Sequence, residues 1–141
     1  MATTRTAHTE WEGDLLKGSG EVTLDSSGAG HYPVTWASRA EQPEGRTSPE
    51  ELIAAAHSSC FSMALANMLT QAGTPPTTLT TKAEVTFQPG TGITGIHLTV
   101  QGRVPAADEE AFRAAAEDAK TNCPVSQALT GTTISLTATL A

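Results

Sequence analysis

One stretch near the middle of the chain constrains the fold more than any other. Thr47-Ser48-Pro49-Glu50-Glu51 reads as a helix start. Ser48 is the expected N-cap, Pro49 suits the first helical position, and Glu51 is placed to close a capping box. From Leu52 to Leu69 the residues are nearly all Ala, Leu, Ile, Met, Phe, Ser and Cys. A helix apolar on nearly every side is expected to be buried all round, so other elements must cover it on both sides. Gly73 and Pro75-Pro76 stop it. The run is long enough to span a bilayer, but His57, Ser58, Ser59, Ser62 and Asn67 break it with polar groups and favour a protein core.

Strands are expected on both sides of this helix. Val22 and Leu24 alternate before the turn Asp25-Ser26-Ser27-Gly28, and Tyr32, Val34 and Trp36 share one side of a strand running to Ser38, with Pro33 hinting at an edge. Arg39 ends that strand, and Glu41 to Arg46 is a polar loop. Beyond the helix, Leu79, Thr81, Ala83, Val85 and Phe87 share one face of a strand. Ile96, Leu98, Val100 and Val104 share a face of the next. Asp108 caps a second helix with Glu109 and Glu110 in its first turn and the stripe Phe112, Ala115, Ala116, Ala119. It ends at Asn122-Cys123-Pro124, where Pro124 opens a short helix through Leu129; Ile134, Leu136, Ala138 and Leu140 make a last strand. The order β-β-β-α-β-β-α-β argues an α+β fold with a mainly antiparallel sheet. At 141 residues, one domain over 1–141 is expected.

Eight Lys+Arg against fifteen Asp+Glu, a net charge of −7, leave no basic footprint for nucleic acid or an anionic membrane. The opening MATTRTAHTEWEG has no apolar core, so no signal peptide is expected and the cytoplasm is the expected location. No Gly-rich phosphate loop, HExxH or GxSxG motif occurs, and no cofactor is expected. A His57/Cys60/Cys123 zinc site lacks a fourth ligand at suitable spacing, so no metal is expected either.

The chemistry then falls to the two cysteines, Cys60 and Cys123. Cys60 lies beyond the first turn of its helix, where the helix N-terminus lowers a thiol pKa little. A buried thiol is pushed up and stays inert, so Cys60 reads either as a core residue or as a reactive group served by a cation from elsewhere. Arginine suits that role, being permanently charged and able to bind a thiolate and a carboxylate together. Cys123, before proline at a helix end, reads as a cap residue or as its dithiol partner. His57 shares a helical face with Cys60 and reads as a base, a ligand, or a histidine with its own hydrogen-bond partner.

Ser48-Pro49-Glu50-Glu51-Leu52-Ile53-Ala54-Ala55-Ala56-His57-Ser58-Ser59-Cys60-Phe61-Ser62-Met63-Ala64-Leu65, with Asn122-Cys123-Pro124-Val125-Ser126-Gln127, resembles the osmotically inducible protein C family of peroxidases. Trp11-Glu12-Gly13-Asp14 and Lys17-Gly18-Ser19-Gly20 fit as well. The resemblance implies an intertwined homodimer that reduces hydroperoxides, with Cys60 as peroxidatic and Cys123 as resolving cysteine. Glu50 matches the family's active-site glutamate, with Glu51 its neighbour, and Arg39 matches the active-site arginine. In the sister branch, the organic hydroperoxide resistance proteins, the arginine comes from the first hairpin, where this chain has Lys17.

Glu50 and Cys60 on one straight helix are about 15 Å apart along its axis. An arginine held by Glu50 is therefore expected to serve Cys60 of the other subunit, in a composite site. The implied cycle runs through a Cys60 thiolate, a sulfenic acid and a Cys60–Cys123 disulfide, reopened by an external dithiol such as a lipoylated protein. Met63, Leu52, Phe61 and the partner's Trp36 are candidate apolar walls for an organic hydroperoxide. The competing classes are a dimeric small-ligand binding module with inert thiols and a thiol redox sensor without turnover.

Overall fold

The computed structural model describes residues 1–141. The chain is α+β and divides into two compact units, Met1–Leu52 and Ile53–Ala141.

The first unit holds an antiparallel sheet of β1 (His8–Glu12), β2 (Ser19–Thr23) and β3 (His31–Val34), in that order. Pro33 lies on the outer strand β3, where a missing N–H costs the ladder nothing. The strand expected to run to Ser38 stops at Val34. Trp36–Ala40 instead forms a short helix, α1, so Trp36 does not continue the Tyr32/Val34 face. The cause is local: Thr35 accepts a bond from Ser38 N–H while the Ser38 hydroxyl takes the Thr35 N–H, a reciprocal cap that turns the chain.

Helix α2, Pro49–Gln71, begins as its caps dictate. Ser48 Oγ accepts from Glu51 N–H at 3.2 Å, but the Glu51 carboxylate reaches the Thr47 hydroxyl (2.7 Å) rather than closing the box on Ser48. It ends in a Schellman turn: Gly73, at φ +81°, donates to Thr70 O, and Thr74 donates to Leu69 O.

The second unit contains β4 (Thr78–Gln88), β5 (Gly92–Arg103) and β6 (Ile134–Leu140), with β4–β5 antiparallel and β5–β6 parallel. The parallel pair is joined by helices α3 (Glu109–Asn122) and α4 (Pro124–Ala128). Asp108 caps α3 through Ala111 N–H as its sequence position implies. Phe112, Ala116 and Ala119 face inward with Ile96, Leu98 and Val100 of β5 and Phe61, Leu65 and Leu69 of α2. Gly102 lets α3 come close: a Cβ there would stand 2.6 Å from the Phe112 ring.

The expectation that α2 is buried all round does not hold for the single chain. His57, Phe61, Leu65 and Leu69 are buried, whereas Ala55, Ala56 and Ser59 are exposed and Met63 is 72% exposed. Its length and hydropathy alone would suit a membrane span, yet its buried face packs into the core of the second unit. A uniform apolar composition gives no sign of which face a chain covers itself.

Candidate active site

The four candidate site residues meet as two pairs of side chains, one in each unit. In the first unit, α1 places Arg39 in its last turn. The Ser38 hydroxyl lies 2.8 Å from Thr47 O and 2.9 Å from Thr35 O, tying α1 to the segment that leads into α2. Arg39 is thereby set opposite Glu50. Arg39 Nε donates to Glu50 Oε1 at 3.0 Å and Nη2 donates to Oε2 at 3.0 Å, a forked ion pair. The Glu50 side chain is 7% exposed and that of Arg39 32%. One end of the pair is thus dry while the other stays partly exposed. Arg39 lines a cavity of about 340 Å³ with Trp11, Val22, Val34, Trp36 and Leu52. Arg39 holds the glutamate, whereas Lys17 of the first hairpin is exposed.

In the second unit, Cys60 projects from α2 and Cys123 stands at the N-cap of α4. Both are free thiols, with Cys123 buried and Cys60 partly buried, and their Sγ atoms are 3.0 Å apart. Pro124 at the first position of α4 starts that helix without needing a donor, so Cys123 sits at its mouth. Burial is the main cause that pushes the Cys60 thiol up, and contact with Cys123 adds to it. The Val125 backbone N–H, one of the open donors of α4's first turn, acts in the opposite direction. Left with these neighbours alone, Cys60 stays protonated at neutral pH.

His57, one turn before Cys60, is fully buried, and its Nε2 lies 2.7 Å from the Ser126 hydroxyl. Burial lowers its pKa, so the ring is neutral. Of the expected wall residues, Trp36 and Leu52 line the cavity of the first unit and Met63 is exposed. Phe61 is not at a surface at all; it packs into the core.

Ser38, Val125 and Ser126 carry no role of their own in the sequence expectations. The Thr35-x-x-Ser38 spacing was the available sign of the first, and Pro124 as a helix opener the sign that Val125 N–H would be unpaired. Ser126 gave no sign, because its partner lies 69 residues away.

A long α-helix and a short one bring two free cysteines into contact inside an α+β fold of this order. The chain belongs to the OsmC family: the model of the OsmC-like protein family matches residues 42–138. Peroxiredoxin OsmC of Escherichia coli K12 is 43% identical over 122 residues, covering 84% of this chain and 85% of that protein. An OsmC-like protein of Mycoplasma pneumoniae shares the fold with a TM-score of 0.75 at 14% identity, over 100% of this chain and 99% of that one. The organic hydroperoxide resistance protein OhrB of Bacillus subtilis does so at 0.69 and 22% identity, over 96% and 98%.

Proposed function

We propose that the protein is a cysteine-based hydroperoxide reductase of the cytoplasm. The observation that carries this reading is the 3.0 Å contact between the Cys60 and Cys123 thiols. The 43% identity to a protein named peroxiredoxin supports it.

Cys60 as a thiolate attacks one peroxide oxygen; the O–O bond breaks and the second oxygen leaves as alkoxide or hydroxide, which takes up from water the proton the thiol released and becomes an alcohol or water. Cys60 is then a sulfenic acid. The Cys123 sulfur displaces its hydroxyl, the S–O bond breaks as the S–S bond forms, and the Cys123 proton leaves in water. An external dithiol reduces the disulfide by exchange, taking the electrons' deficit onto itself.

The step that needs help is the first, since burial opposes the Cys60 thiolate. A permanent cation supplies it. Arg39, fixed in place by its forked pair with Glu50, lines an apolar cavity, which supports it as the cation that faces a thiolate there and suits the organic part of a hydroperoxide. The uncovered face of α2, with Met63 at its centre, supports a second copy of the chain as its cover. In that homodimer Arg39 and Glu50 of one subunit serve Cys60 and Cys123 of the other.

Steady-state assay with cumene hydroperoxide and dihydrolipoamide tests the reading. Sustained turnover by the wild type and none by Cys60→Ser is expected. A disulfide without turnover would instead indicate a redox sensor, and thiols untouched by peroxide a binding module.

A further inference from the structure

Helices α2 and α4 meet through two side-chain links, not one. Cys60 and Cys123 form the first; His57 and Ser126 form the second, at 2.7 Å. On α2 the two residues are three apart, and from the cap of α4 inward they are again three apart, in opposite order. Residues at that spacing are neighbours on one side of a helix, so the links lie side by side as two rungs. They have different fates in a redox cycle. An oxygen added to Cys60 must fit where two sulfurs now touch, so the cysteine rung opens at every turnover. The His57–Ser126 rung involves no reacting atom.

The second rung matters because α4 cannot hold itself. It has five residues, its cap makes no side-chain hydrogen bond, and a helix that short has little stability of its own. It carries Cys123 and Val125 N–H, the two groups that act on Cys60. The rung is also dry: His57 is fully buried and Ser126 is 3% exposed. Nδ1 of the ring has no partner, so Ser126 is the ring's single polar attachment. An imidazole present only to fill the core would bring that unsatisfied nitrogen with no return.

We propose that His57 is a positioning residue for disulfide closure: through Ser126 it holds α4 in register while the cysteine pair is open, so that Cys123 returns to the Cys60 sulfenic acid before a second peroxide does. The proposal rests on the peroxidase reading above and adds to it a residue that touches neither substrate nor sulfur.

The test uses full-length wild type, Ser126→Ala, His57→Leu and His57→Gln, whose amide keeps a partner for Ser126. Each is mixed with cumene hydroperoxide, quenched by alkylation and weighed, which separates sulfenic acid formation from disulfide closure. In Ser126→Ala and His57→Leu, closure slows about tenfold, the loss of one buried hydrogen bond, while the first oxidation stays within about twofold. Excess peroxide then drives these two variants to sulfinic acid. His57→Gln recovers closure, which a loss of core packing alone would not allow. Closure at the wild-type rate in Ser126→Ala and His57→Leu overturns the proposal, as does His57→Gln closing no faster than His57→Leu. If Ser126→Ala does not fold, the two His57 variants decide. Should the wild type itself give no disulfide with peroxide, the peroxidase reading fails, and closure driven by diamide compares the same variants.

Discussion

Arg39 and Glu50 meet through two parallel hydrogen bonds of 3.0 Å, with the Glu50 side chain 7% exposed and that of Arg39 32% exposed. The two ends of this pair are therefore not equivalent. Arg39→Ala strands a nearly dry carboxylate and costs about 3 kcal/mol of folding stability, as for a buried pair deprived of one partner. Glu50→Gln leaves a guanidinium that water reaches, and costs about 1 kcal/mol. Urea denaturation gives the order directly; a Glu50→Gln loss equal to that of Arg39→Ala contradicts it.

The two cysteines are expected to fail differently. Cys60→Ser abolishes turnover by at least about 1,000-fold, since the remaining thiol, Cys123, is fully buried and has no thiol partner with which to close a disulfide. Cys123→Ser permits one oxidation and then stalls, and excess peroxide carries Cys60 on to sulfinic acid. Intact-mass measurement after peroxide separates the two. A Cys123→Ser variant that cycles at the wild-type rate with a dithiol removes Cys123 from the mechanism.

His57 ties stability to pH. Burial holds its folded pKa below the ordinary 6.5, so below pH 6.5 the unfolded chain binds a proton that the folded chain resists. Stability is thus full above that value and falls as the pH drops toward the folded pKa. Urea midpoints at about pH 7.5 and about pH 5 are expected to differ more for the wild type than for His57→Gln. Equal differences show that the ring does not contribute.

The exposed side of α2 predicts assembly. Met63→Glu adds a charge at a side chain the single chain leaves 72% exposed, so the monomer fold is retained while a second copy is repelled. Sedimentation should show a wild-type dimer and a Met63→Glu monomer. Turnover in that variant falls on the order of 100-fold, because Cys60 loses the cation from its partner. An active monomer contradicts the composite site.

Much of this architecture can be read along the chain, and the exceptions have physical causes. The ends of α2 are written in Ser48-Pro49 and Gly73 because caps are local, and β4 and β5 in strict alternation because each has one inner face. Trp36 misleads, since a period of two continues by chance into a segment that Thr35 and Ser38 fold as a helix. Glu51 misleads less: its carboxylate does bond near the helix start, but to Thr47. The pairing of Cys60 with Cys123 and of His57 with Ser126 depends on two helices crossing, which no local pattern encodes. The bare side of α2 is hidden by its composition, as Phe61 and Met63 look equally suited to a core.

The Cys60–Cys123 couple is tested most directly by a single turnover. Reduced protein is mixed with one equivalent of cumene hydroperoxide, alkylated, digested and mapped by mass. Both thiols should disappear together, and one cross-linked peptide should join Cys60 to Cys123 of the same chain, reopened by a dithiol. Two alkylated cysteines after peroxide consumption, or a disulfide formed only between chains, would contradict it.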